Sequence, residues 1–212
     1  MAKLQDTLQT EFGKRFICNV QLPDYFETCL NSSKHLRPYQ TECFQYFLTY
    51  MNPENIFDGK AKRPHLLFHM ATGSGKTLQM AGAMLYLFEQ GYRNFLFFVD
   101  STNIVEKTKD NFLNVGSIKY MFAPFISING QHVEIREVQN FQGTSNDCIN
   151  ICITTIQGLH SDLNTKKENA LTYEDFSNQP IVLIADEAHH LNAATKKEKD
   201  LTKEEKEINP PL

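Results

Sequence analysis

The stretch Ala71-Thr72-Gly73-Ser74-Gly75-Lys76-Thr77 restricts what this chain can fold into more than any other. Gly73 and Gly75 permit the torsions of a tight loop whose N–H groups turn inward around an anion. Lys76 falls at the start of a helix, where its ammonium reaches the outer phosphates of a ligand. The helix N-terminus adds its own partial positive charge, and Thr77 places a hydroxyl where a magnesium ion bridging those phosphates can be held. Such a loop needs a strand before it and a helix after it. The apolar run His65-Leu66-Leu67-Phe68-His69-Met70 predicts the strand. Leu78, Ala81, Met84, Leu85 and Phe88, recurring on one helical face up to Gly91, predict the helix. Met70 stands six residues before Lys76, where the strict form of the motif has Gly.

A second constellation follows downstream. Ile181-Val182-Leu183-Ile184-Ala185 is an apolar run that delivers Asp186 and Glu187 at its end. In open α/β sheets, ligands bind at the carboxyl ends of the strands. Asp186 is therefore expected to hold magnesium, directly or through a water, and Glu187 to orient or deprotonate an attacking water.

The rest of the chain fits a layered α/β fold. Residues 1–35 read as a helix or short strand leading into a loop. From Pro38, the spacing of Tyr39, Cys43, Phe44, Tyr46, Phe47 and Tyr50 predicts a helix with proline in its first turn. The stretch 51–64 reads as a loop. Phe95-Leu96-Phe97-Phe98-Val99 is a near-continuous apolar strand, as expected where both faces of a sheet are covered. Residues 101–114 are helix-compatible, and Ile151-Cys152-Ile153 is another buried strand. Asn129-Gly130 between two short apolar runs predicts a β-hairpin near 125–138. Strands alternating with helices indicate a mostly parallel sheet.

Composition narrows the function classes. The chain has 212 residues, 41% of them hydrophobic, which suits one globular domain. Its formal net charge of -4 argues against coating nucleic acid by bulk electrostatics, but leaves room for a local basic strip. No run approaches the ~18 apolar residues of a membrane span, and the N-terminus lacks a secretory segment. The cysteines at 18, 29, 43, 148 and 152 are scattered and form no zinc set, so they read as buried reduced thiols and the expected compartment is the cytoplasm. Lys196 to Glu207 holds five lysines and five acidic residues, and reads as a solvated tail.

Taken together, the motifs resemble the first RecA-like domain of a superfamily-two helicase or translocase of the DEAH type. The resemblance runs from about residue 36 to 191. Leu36-Arg37-Pro38-Tyr39-Gln40 resembles the segment whose glutamine recognises adenine, which assigns that role to Gln40. Ile153-Thr154-Thr155-Ile156-Gln157 resembles a motif that touches the nucleic-acid backbone, implicating Thr154 and Thr155. Ser101 and Thr102 lie in another such segment, which here lacks its usual proline. His189, within Asp186-Glu187-Ala188-His189, occupies the position that couples nucleotide to nucleic acid. Met70 and the doubled His189-His190 make the chain most similar to the Res subunit of type III restriction enzymes.

The resemblance implies ATP and magnesium as cofactors, bound by Gln40, Thr72, Gly73, Ser74, Gly75, Lys76 and Thr77, with Thr77 and Asp186 on the metal. Lys76, Asp186 and Glu187 would form the hydrolytic centre. DNA and a methyltransferase (Mod) subunit are the implied partners. The expected organisation is an N-terminal extension over 1–35, a RecA-like P-loop NTPase domain over 36–195 and a charged tail over 196–212. With no second motor domain or nuclease motif in the sequence, the chain reads as the N-terminal part of a larger enzyme. The alternatives are another superfamily-two DNA or RNA helicase and a short non-catalytic nucleotide-binding module. A small-molecule kinase fits less well, because only Arg93 and Arg136 follow the loop and could serve a lid.

Overall fold

A computed structural model describes residues 3–165 and 168–186. Glu187, His189 and the charged tail therefore lie outside the described residues.

The first 35 residues hold three short helices, α1 (Leu4–Phe12), α2 (Lys14–Cys18) and α3 (Tyr25–Thr28). A helix of four or nine residues is marginal alone, so these depend on what they pack against. Leu8 and Ile17 are fully buried, in a cluster with Tyr50 and Phe57 and with Phe12 and Tyr46 packed alongside. Tyr50 and Tyr46 belong to α4 (Pro38–Met51), which starts at its proline as expected. Helices α1 and α2 thus brace the far end of α4 from behind, while Tyr25 and Phe26 of α3 join the main core. Phe44 and Phe47, on the opposite side of α4, enter the main core.

Next along the chain come α5 (Lys76–Glu89), β1 (Asn94–Val99) and α6 (Thr102–Phe112). The hairpin follows as β2 (Ile126–Ile128) and β3 (Gln131–Glu137), antiparallel, with Ile128 opposite Gln131 across Asn129-Gly130. Asn129 and Gly130 both take positive φ (52° and 79°), the pair that a tight two-residue hairpin turn requires. Then come β4 (Cys148–Thr155), α7 (Ile156–Asn164), α8 (Tyr173–Asn178) and β5 (Ile181–Ala185).

The sheet order is β2-β3-β4-β1-β5. Every pairing except the hairpin is parallel. This is the α/β, RecA-like architecture that the alternation of strands and helices predicts, with the hairpin added at one edge. β1 shows why the run Phe95 to Val99 is apolar. Phe95 and Phe97 point into the large core with α3, α4 and α5, while Leu96 points to the opposite face with Phe141, Cys152 and Leu171. Both faces are covered, and the one polar residue of the strand, buried Asn94, is hydrogen-bonded to Gln179 and Asn150.

The expected strand at residues 65–70 does not form. The segment is extended but pairs with no strand among the described residues. Burial alternates along it: Leu66 and Phe68 pack on the core, whereas Leu67 is 80% exposed. An extended run becomes a strand only when a neighbouring edge accepts its hydrogen bonds. Here the side chains are anchored and the backbone has no ladder. Phosphate-loop context is therefore extended segment, loop and helix.

The thiols also differ in part from expectation. Cys29, Cys148 and Cys152 are buried, but Cys18 is exposed and Cys43 half-buried. Burial, with acidic neighbours including Asp162 adding to it, pushes the Cys152 thiol up to about 12. Burial likewise pushes Cys43 up to about 11. Both thiols therefore stay protonated and unreactive at neutral pH. No disulfide links the five.

Helices α4 and α5 approach closely at Gly82. A Cβ there would sit 2.8 Å from Phe26 Cε1 and nearer still to Phe44 Cζ. Those two rings are fully buried and stacked edge to face with centroids 4.5 Å apart, so neither can swing away freely. Alanine improves helix propensity by about 1 kcal/mol, but overpacking a core costs about 1–3 kcal/mol. Gly82→Ala is therefore expected to destabilise the chain, by about 1 kcal/mol net. Urea unfolding measures this, and a raised midpoint would contradict the packing described.

Candidate functional site

The phosphate loop leaves the core at Met70 and turns through Ala71 to Gly75 before α5 begins. Ser74 closes the first half: its N–H donates to Ala71 O at 3.2 Å and its hydroxyl to the same carbonyl at 2.6 Å. Gly73 and Gly75 carry φ of +75° and +84°, in the left-handed region that side chains disfavour. Gly75 is the N-cap of α5, and its carbonyl accepts from the N–H groups of Leu78 (3.0 Å) and Gln79 (3.3 Å). No acidic residue occupies the first turn of α5, whose N-terminal end carries the partial positive charge of the helix dipole.

The outside of the loop is held by the first turn of α4. The Tyr39 hydroxyl donates to Ser74 O at 2.8 Å, and Gln40 Nε2 donates to the same oxygen at 3.0 Å. Arg37 donates twice in turn: its N–H to Gln40 Oε1 at 2.8 Å, and its Nη1 to the Tyr39 hydroxyl oxygen at 3.2 Å. Gln40 is only 3% exposed. Gln79, one turn into α5, is also buried and sends Nε2 to the backbone carbonyl of Gln40 at 2.9 Å. Its Oε1 is buried with no partner among the described residues. The two helix starts and the loop form one hydrogen-bonded unit.

Lys76 and Thr77 open α5 and are half-buried, while Ala71, Thr72 and Gly73 are exposed. A trans peptide carries its C=O and N–H on opposite sides. With Ser74 O tied to α4, the Gly75 N–H lies on the side of the peptide away from those contacts. That N–H, the N-terminal end of α5 and the Lys76 side chain together suit a phosphate-bearing anion. For the associated cation, the Thr77 hydroxyl and the Asp186 carboxylate are hard oxygen donors of the kind magnesium prefers. Among the described residues, no cluster of three or more His, Cys, Asp or Glu forms a protein-only metal cage.

The sheet sets the other expected residues. Asp186 follows β5, and its N–H donates to Phe98 O of β1 at 3.2 Å. The approach to β5 is fixed by Asp175, whose buried carboxylate accepts from Thr172 N–H (2.8 Å), Thr172 hydroxyl (2.9 Å) and Phe141 N–H (3.2 Å). In the parallel register Val99 lies opposite Thr155, and Phe98 opposite both Thr154 and Ala185. Asp186, Ser101, Thr102, Thr154 and Thr155 therefore gather at the carboxyl ends of three adjacent strands, where the sequence placed them.

Two of these have local work as well. Thr155 caps α7, its Oγ1 accepting from Gly158 N–H at 3.0 Å, and Ser101 is the extended N-cap residue of α6. Glu187 and His189 lie outside the described residues.

Sequence reading missed Tyr39 and Gln79. Tyr39 was counted as an apolar position on α4, yet its ring is 42% exposed and its hydroxyl reaches the loop. The available signal was its place in the first turn, directly before Gln40 and away from the buried stripe of Phe44 and Phe47. Gln79 carried a weaker signal, a long amide on the face between Leu78 and Ala81 where only apolar residues were expected.

A Cβ on Gly75 would collide with Gln40 Nε2 and would also have to sit at a positive φ. Gly75→Ala is expected to lose about 1–2 kcal/mol of stability from the torsion alone, with further loss as Gln40 is displaced. Denaturant unfolding should show it. A midpoint equal to wild type would mean that the loop does not hold this geometry.

Comparison with known proteins shows the family. The family described as "Type III restriction enzyme, res subunit" matches residues 33–209. The chain is 39% identical, over 95% of its own length, to the probable type III restriction-modification enzyme HindVIP Res subunit of Haemophilus influenzae. It spans 38% of that relative's length. No solved structure matches the chain significantly.

Proposed function

The chain belongs to the type III restriction enzyme Res subunit family, and from that premise we propose that it is the ATP-binding first motor domain of a DNA-dependent ATPase and translocase. The observation that carries the reading is the phosphate loop itself, pinned from outside by Tyr39 and Gln40 and opening α5 with Lys76 and Thr77. The gathering of Asp186 and the four hydroxyl residues at the same edge of the sheet supports it.

In this reading the backbone of Thr72 to Gly75 wraps the β-phosphate, and Lys76 balances the charge of the outer phosphates. Thr77 and Asp186 would hold magnesium, which would supply positive charge to offset that of the phosphates. Gln40 sits beside the loop on the side where the base would lie. Its role toward adenine is carried over from the resemblance, and it requires the amide to exchange a loop contact for a base contact. Glu187 would position the attacking water and His189 would pass the nucleotide state toward the bound strand. Ser101, Thr102, Thr154 and Thr155 present hydroxyls that can donate to a nucleic-acid backbone.

The whole enzyme would need more than this chain. ATP in such motors lies between two lobes, and arginine supplied across the cleft contributes about 10³–10⁵ in rate in related phosphoryl-transfer systems. DNA as the track, a Mod methyltransferase subunit as partner and the cytoplasm as compartment belong to the same proposal. Among the described residues, no helix is long and apolar enough to cross a membrane.

Titration calorimetry with Mg–ATP tests the reading. The chain should bind, weakly, and Lys76→Ala should abolish binding while leaving the circular dichroism spectrum unchanged. Equal affinity in the variant would refute the phosphate-loop assignment. The chain alone should also show no DNA-stimulated turnover at motor-like rates, and such turnover would refute the need for a second lobe.

A further inference from the structure

We propose that Tyr39 is a positioning residue for the phosphate loop: its hydroxyl holds the Ser74–Gly75 peptide in the orientation that aims the Gly75 N–H at bound phosphate. The inference rests on the reading of the loop as a nucleotide site and adds a residue to it.

The geometry is a short relay. Arg37 Nη1 donates to the Tyr39 hydroxyl oxygen at 3.2 Å, and that hydroxyl donates onward to Ser74 O at 2.8 Å. A donor already accepting from a guanidinium is polarised and is a better donor for it. Gln40 Nε2 meets the same carbonyl at 3.0 Å, so Ser74 O has both lone pairs engaged from the α4 side. The peptide plane is rigid, so fixing the carbonyl on one side fixes the following N–H on the other.

Glycine at 73 and 75 makes this restraint necessary. Positive φ is open to glycine without penalty, but so are many other torsions, and a loop built on two glycines has several orientations of the peptide between them. A flipped peptide would turn the Ser74 carbonyl, a partial negative charge, to the side that the Gly75 N–H now takes. Nothing within the loop prevents that: the Ser74 N–H and hydroxyl are both spent on Ala71 O. The restraint comes from α4, where one clamp is the Gln40 amide, whose oxygen also accepts from the Arg37 N–H. Tyr39 is the second, independent clamp. Its ring is 42% exposed and contributes little to the core, so the hydroxyl has no evident packing role to explain its place.

Tyr39→Phe removes the hydroxyl and keeps the ring. Competition against a fluorescent ATP analogue, with ATP and with inorganic tripolyphosphate as competitors, reads the effect. A restraint on the loop acts on phosphates whatever they are attached to. Both competitors should therefore weaken by the same factor, roughly three- to tenfold, as expected for one neutral hydrogen bond. The thermal midpoint of the unliganded chain should fall by no more than one lost hydrogen bond allows. Unchanged affinity for both competitors would overturn the proposal, and with a lowered midpoint it would assign the hydroxyl to stability alone. So would a loss confined to ATP, which would place the Tyr39 contact at the base. Failure of the nucleotide reading is recognisable separately, because wild-type chain would then bind neither ATP nor tripolyphosphate.

Discussion

The Ser74 carbonyl, caught between the Tyr39 hydroxyl and the Gln40 amide, ties the loop to the body of the protein. On one side of that contact lies a segment of glycines and small residues with little intrinsic preference for one conformation. On the other lies α4, a fourteen-residue helix with Phe44 and Phe47 sunk in the main core. Two short helices, α1 and α2, brace the same element from behind as Leu8 and Ile17 pack with its Tyr50. Because α4 cannot move, the loop inherits its rigidity. The close contact at Gly82 and the buried bond from Gln79 to the Gln40 carbonyl hold α5 to α4 in one register. The anion-binding end of α5 and the clamp on the loop are thus parts of the same packed unit.

The sheet performs the complementary task. Parallel strands all end on the same side, so a pattern that places Asp186, Ser101 and Thr155 just after three apolar strands also places them together in space. No long-range recognition between those residues is needed. β1 sits between β4 and β5, and its apolar side chains on both faces make it the least replaceable strand. The hairpin extends the sheet at the far edge, beyond β4, and takes no part in this gathering.

Much of this was legible in the sequence because the signals were local. The glycine spacing of the loop, the apolar face of α5, the all-apolar runs of β1 and β5 and the Asn129-Gly130 turn each follow from torsions or burial within a few residues. Residues 65–70 were misread for the opposite reason. An apolar run shows that side chains will be covered, but whether its backbone joins a ladder depends on a neighbour elsewhere in the chain. The short helices α7 and α8 are absent from the sequence reading although each carries a capping signal, Thr155 before α7 and the Thr172/Asp175 box of α8. Tyr39 escaped notice because an aromatic at helical spacing reads as core. Only the contact with Ser74, thirty-five residues away in sequence, distinguishes it.

A nuclear magnetic resonance titration of glycine amides follows the loop directly. The chain has ten glycines, so selective ¹⁵N-glycine labelling gives a spectrum simple enough to assign by substitution. On adding Mg–ATP, the Gly73 and Gly75 amides should shift strongly as they take up phosphate contacts. Gly116, Gly130 and Gly143, on loops remote from α4 in sequence, should stay in place. Movement of those remote glycines with Gly73 and Gly75 unchanged would contradict the account, and would put nucleotide, if it binds, somewhere other than the loop that α4 holds.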